Sequence, residues 1–165
     1  MIYKYYQLNK LNISNYNFFL LYGKNEGLQK ETIENIFKNN FEGEISKYDE
    51  SEFLSNINVI TEEILNISLF NDKKILIINR GSDKLVNAIE ELLKKNINDI
   101  KIIIKSGILE KKSKLRNLFE KSKELVIIPT YKDTTIGLLE IARKFFYNYK
   151  ISISQEAINL LISRC

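Results

Sequence analysis

Histidine is absent from the 165 residues. Its absence excludes imidazole bases, Ser-His-Asp and Cys-His catalysis, and every zinc site that needs a ring nitrogen. Any catalysis would rest on Asp, Glu, Lys, Ser, Tyr or a bound ion. The one cysteine, Cys165, excludes a disulfide framework and a Cys-rich metal site and fits a reducing compartment. One proline and six glycines exclude collagen-like or linker character. No long apolar run exists, so no membrane span is expected. Met1-Ile2-Tyr3-Lys4-Tyr5-Tyr6 has neither an apolar stretch nor a small-residue cleavage site. It is not a signal peptide, and the expected compartment is the cytoplasm.

What is present is ordinary for a globular chain: 44% hydrophobic and 28% charged residues in 19.4 kDa. Lys and Arg total 25 against 21 acids, a net charge of +4. That excess permits contact with nucleic acid or an acidic protein without arguing for either.

Five short apolar runs recur. They are Phe18 to Tyr22, the weaker Glu44 to Tyr48, Ile75 to Ile78, Ile102 to Ile104 and Leu125 to Ile128. Most are continuous and rich in β-branched residues, as strands buried on both faces of a parallel sheet are. Helical spacing separates them. Ile33, Ile36 and Phe37 share one face. Phe53, Leu54, Ile57, Ile60, Ile64 and Leu65 form a second stretch that admits a break. Leu85, Ile89, Leu92 and Leu93 follow Ser82-Asp83 caps, and Leu115, Leu118 and Phe119 follow Ser113. Strands alternating with helices predict right-handed crossovers and a three-layer α/β domain with a parallel sheet of about five strands.

The pattern changes after Pro129. Thr134 to Tyr149 reads as one helix with Ile136, Leu139, Ile141, Phe145 and Phe146 as its apolar positions, and Ser154 opens another. The expected organisation is an α/β domain over 1–132 and the first helices of a separate helical unit over 133–165, which stops abruptly as a fragment would.

The first strand runs into Gly23-Lys24-Asn25-Glu26-Gly27, where a phosphate-binding loop would sit. No Gly-Lys-Ser/Thr sequence exists, the turn is short, and Glu26 would repel phosphate. The third strand ends in Asn79 where a magnesium-holding strand would end in Asp. The two places where a P-loop enzyme keeps its chemistry are thus both vacant, and neither a cofactor nor a metal is expected. The basic run Lys111, Lys112, Lys114, Arg116 is a candidate DNA contact, or a solvated helix face. Asp49, Glu50 and Glu52 read as the acidic start of a helix rather than a metal site.

Taken in order, several segments resemble the delta subunit of bacterial DNA polymerase III, the clamp-loader subunit. They are Phe19 to Gly27, Tyr48-Asp49-Glu50, Ser68 to Lys74, Lys111 to Arg116 and Ile151 to Leu161. The resemblance implies an AAA+/RecA-like fold with a degenerate P-loop (Gly23, Lys24, Gly27, Asn79), followed by the start of a small helical lid. It implies a sliding clamp (beta subunit) as partner, with gamma/tau and delta prime as fellow loader subunits, DNA reached only through the complex, and no membrane. It places a hydrophobic wedge for the clamp at Ile67, Leu69 and Phe70. No intrinsic catalysis is implied, only membership of a DNA-directed DNA polymerase holoenzyme. Two alternatives stay open: a nucleotide-kinase type of enzyme using Lys24 or Lys30 on phosphate, and a bare DNA-binding module.

Overall fold

The five apolar runs become five parallel strands, β1 (Phe18–Tyr22), β2 (Glu44–Asp49), β3 (Lys74–Asn79), β4 (Ile100–Ser106) and β5 (Leu125–Pro129). They lie in one sheet in the order β2-β3-β4-β1-β5. The structure, a computed structural model, describes residues 2–3, 8, 12–70, 73–95, 97 and 99–164, with only the backbone at 67–70.

Alternation along each strand sends its side chains to two cores. Phe18, Leu20, Leu76, Ile78, Ile102, Ile104, Leu125 and Ile127 enter one cluster. Phe19, Leu21, Ile75, Ile77, Ile103, Val126 and Ile128 enter the other. This double burial is why the strands read as unbroken apolar runs. β2 is an edge strand with an exposed first half, which explains its weak signal.

The handedness rule distributes the helices. α1 (Glu26–Thr32) connects β1 to the far edge and continues into a wide π-type turn over Ile33–Lys38. Ile33 and Phe37 from this segment cover the second core. Every later connection runs in the opposite direction along the sheet. α2 (Glu50–Ser55), α3 (Ile57–Phe70), α4 (Val86–Leu93) and α5 (Lys114–Lys121) therefore supply Phe53, Ile60, Ile64, Ile89, Leu92, Leu115 and Phe119 to the first core. The break between α2 and α3 falls at Asn56, whose φ of −109° and ψ of 16° leave the helical region. Among the described residues four helices cover one sheet face, and α1 with its π-type turn covers the other together with Leu8 and the half-buried Tyr3, Ile13, Tyr16 and Phe41.

Residues 1–130 and 131–165 form two separate units. In the second, α6 (Thr135–Asn148) is capped by the Thr134 hydroxyl, which accepts from the Gly137 N–H at 3.1 Å, and α7 (Gln155–Ile162) by Ser154. Of the apolar positions expected to pack in α6, Ile136, Ile141 and Phe145 are exposed, and Leu139 and Phe146 are half-buried. Ala142 and Ile158 are the residues this unit buries among those described. Two helices of 14 and 8 residues offer too little facing surface to bury a wide stripe.

Candidate functional site

β1 and its neighbour β4 send their chains to opposite faces of the sheet, β1 into α1 and β4 towards α5. Between their carboxyl ends lies the crevice where open parallel sheets bind ligands. The protein's own groups occupy it. Gly23 turns the chain at φ +142° and packs so closely that a Cβ there would stand 2.0 Å from the Thr130 carbonyl oxygen. Its N–H donates to the Gly107 carbonyl at 2.9 Å, and the Asn25 N–H donates to the Thr130 carbonyl at 3.2 Å. The Asn25 side chain accepts from the Leu28 N–H at 2.9 Å, taking a donor a phosphate would use.

Gln29 closes the crevice. It is 2% exposed, and its amide nitrogen donates to the Ser106 carbonyl at 2.9 Å, the Thr130 hydroxyl at 3.1 Å and the Gly23 carbonyl at 3.4 Å. One side chain therefore ties together the ends of β1, β4 and β5. The wall it faces is made of carbonyl oxygens, which suit a donor and repel a phosphate. Ser106 is also engaged, its hydroxyl donating to the Gly81 carbonyl at 2.6 Å. Gln29→Ala would leave buried acceptors unpaired at roughly 1–3 kcal/mol. The expected result is a melting point lower by about 3–10 °C, with no gain of nucleotide binding, checked by thermal denaturation and calorimetry.

The remaining positions of the expected nucleotide site lie around this plug. Lys24 and Gly27 are exposed. Asn79, half-buried, donates its amide to the Tyr48 carbonyl at 3.4 Å and so stitches β3 to β2. Next to it, Arg80 pairs with Asp49. Glu50 accepts from the Ser82 N–H at 2.6 Å and the Ser82 hydroxyl at 3.0 Å. Asp49 stands at the N-cap position of α2 without a side-chain cap bond, and Glu50 in the first turn tethers the helix start to Ser82. Among the described residues no group of three or more Cys, Asp or Glu side chains is placed to hold a metal ion.

The basic run does not stay together. Lys111, Lys112 and Lys114 are exposed, and Lys112 pairs with Glu110 at 3.0 Å. Arg116 turns the other way: it donates to Glu120 at 2.8 Å and to the Leu109 carbonyl at 3.2 Å, and its guanidinium lies 5.1 Å from the centre of the Tyr22 ring. It fastens α5 to the end of β1. Asp83 also fastens the start of α5, accepting from the Ser113 hydroxyl at 2.6 Å and the Leu115 N–H at 3.0 Å. Those bonds, the Ser113 one first, hold its carboxyl below the usual aspartate range.

α3 buries Ile60, Thr61 and Ile64 and ends at Phe70. Ile67, Leu69 and Phe70 belong to its last turn, and their side chains lie outside the described residues. The structural feature that sequence reasoning missed is Gln29, because a polar residue inside a short helix carries no periodic signal. The one available hint was its spacing of four from Asn25, which puts it just inside the turn.

The architecture is a five-stranded parallel α/β domain of AAA+-like fold, followed by helices. Residues 19–128 match the family "DNA polymerase III, delta subunit". The chain belongs to that family. Among solved structures it is similar to the Bacillus subtilis DNA clamp loader delta protein (YqeN), with 15% identity and a TM-score of 0.57 over 96% of this chain and 50% of that one. It is also similar to the replication initiator DnaA bound to AMPPCP and single-stranded DNA, with 12% identity and a TM-score of 0.50 over 95% of this chain and 53% of that one. The chain spans about half the length of each. No curated protein matches it. Among the described residues no helix is long and apolar enough to cross a membrane.

Proposed function

We propose that this protein serves as a clamp-loader subunit that binds the sliding clamp through the end of α3 and favours its open form, without hydrolysing ATP itself. The observation that carries the reading is the plugged crevice: Gln29 and the turn around Gly23 use the donors and the space a nucleotide would need. ATP would act in sibling gamma/tau subunits, delta prime would complete the loader, and DNA would be reached through the assembly. A ligand shifts the ring between closed and open only by its different affinity for the two states, so the contact must fit the open form better.

The wedge is supported by pattern. α3 turns Ile57, Ile60, Thr61 and Ile64 towards its core. Continuing that spacing reaches positions 67 and 68, Ile and Ser, and passes over Leu69 and Phe70, which makes these two the core of the proposed wedge. The kinase alternative needs a lysine at the crevice, and Lys24 and Lys30 are both exposed while Gln29 occupies it. The test is to pass the full chain with the sliding clamp of its own organism over a sizing column. A stable complex formed without nucleotide is expected, and separate elution at concentrations of about 10 μM would defeat the proposal.

A further inference from the structure

Among the described residues Lys74 is the only charged one that is buried, with 3% of its surface exposed. Alternation along β3 sends it to the same face as Leu76 and Ile78, the face that α3 covers. Its neighbours in register are Glu44 on β2 and Ile100 on β4. Its ammonium pairs with the Glu44 carboxylate at 2.9 Å and with the Glu63 carboxylate of α3 at 3.7 Å. A cleft of about 310 Å³ lies among these groups, with Asn66 of α3 as a further lining residue. Glu44 also accepts from the Ser46 hydroxyl at 2.8 Å. The Lys74 bond first, and the Ser46 bond second, hold the Glu44 carboxyl below the usual glutamate range. One buried cation thus joins the edge strand, β3 and the middle of α3.

Stability does not account for a lysine here. Burying an ammonium forfeits its hydration, and an apolar side chain of similar volume usually serves the fold as well or better. Both carboxylates keep about half of their surface in water, which screens the attraction. Placement accounts for it better. Glu63 and Lys74 stand at the two roots of segment 64–73, which holds the whole of the proposed wedge. Pairing them closes that segment and removes conformations its ends would otherwise explore. The pair also acts on the roll of the helix. Apolar packing at Ile60 and Ile64 holds α3 along one stripe and leaves it free to rock about that stripe. Glu63, about 100° round the helix from Ile64, supplies a second line of attachment. Position 70 lies seven residues beyond Glu63, two turns on and about 20° round the axis, so it belongs to the line that Lys74 grips.

We infer that Lys74 is a positioning residue for clamp binding: through Glu44 and Glu63 it fixes the roll and exit of α3 and so preorganises the end of that helix for its partner. The inference rests on the clamp reading given above. Lys74 lies beneath the helix, out of a partner's reach, so it acts through the arrangement of α3 alone. Its loss lowers the fraction of chains in the competent arrangement, and apparent affinity falls by that fraction. Such a loss appears in the association rate, whereas losing a direct contact appears mainly in the dissociation rate.

The test measures association and dissociation rates of the full chain with the sliding clamp of its own organism, and amide hydrogen exchange of the free chain. Lys74→Met keeps the length of the side chain and removes its charge. It should slow association about tenfold and leave dissociation within about twofold. Exchange of the amides of residues 67–70 should quicken about tenfold while those of β1 and β4 stay protected. Glu63→Gln, at an exposed site, should slow association about threefold, and adding it to Lys74→Met should cost nothing further. Should Lys74→Met fail to fold, Glu63→Gln decides alone by the same two readings. A wild-type chain that binds no clamp would defeat the clamp reading itself and this role with it. A wild-type chain that binds, with both variants associating at its rate or losing affinity only through faster dissociation, would overturn the inference alone. So would unchanged exchange at residues 67–70.

Discussion

Leu69→Ala combined with Phe70→Ala should weaken clamp binding by more than about a hundredfold and shift the melting temperature by no more than about 2 °C. Apolar anchors of this size contribute ~2 kcal/mol or more each when they fill a partner's pocket, and their losses are not additive. A hundredfold loss corresponds to ~2.7 kcal/mol, a cautious lower bound for two anchors. The same pair in a core would behave differently. Truncating a buried Leu or Phe costs roughly 2–5 kcal/mol each, and the chain would melt far earlier. Affinity and stability measured on one preparation therefore separate the two locations. Ile67→Ala alone should have a smaller effect on affinity, because it matches only the flanking position of the wedge.

The second large effect is expected at Gly23. Gly23→Ala should lower stability by about 3 kcal/mol or more, because φ +142° is a conformation only glycine adopts at low cost. The added methyl would also meet the Thr130 carbonyl oxygen at 2.0 Å and its hydroxyl at 2.9 Å. Thr130 is fully buried and receives the Gln29 amide, so it cannot retreat without breaking that bond. A fall of the melting point by roughly 6–12 °C is the expected reading for a chain of this size. Gly27→Ala is the control: its Cβ would meet nothing closer than the Asn25 side chain at 3.5 Å, and stability should hold or rise slightly. A flexible, ligand-receptive loop would tolerate both substitutions alike.

Much of the architecture was legible because burial on both faces leaves a strong mark. Ile75 to Ile78 and Leu125 to Ile128 have no exposed side, so no polar residue interrupts them. Capping hydroxyls at Ser113, Thr134 and Ser154 marked helix starts for an equally local reason: each accepts the N–H three residues on. Non-local choices were not legible. The basic run put Arg116 beside three lysines, yet the i,i+4 spacing to Glu120 and the contact with Tyr22 direct it inward. A check for helical charge pairs would have found the first of these. The π-type turn at Ile33–Lys38 had no sequence signal. The exposed faces of α6 were unreadable because an apolar stripe records a need for burial, not whether the covering surface is supplied. In the crevice, the missing Walker residues were visible at Asn79 and in the Gly23 turn, whereas the Gln29 plug depends on three strand ends that only the fold brings together.

The proposed working surface is the end of α3, with the strand-end crevice as internal structure. Titrating the sliding clamp into the full chain by calorimetry, with and without saturating magnesium ATP, tests this most directly. The account predicts a one-to-one complex of the same affinity in both titrations and no saturable heat from nucleotide alone. Clamp binding that appears or strengthens tenfold only when ATP is present, with nucleotide bound to this chain, would contradict it.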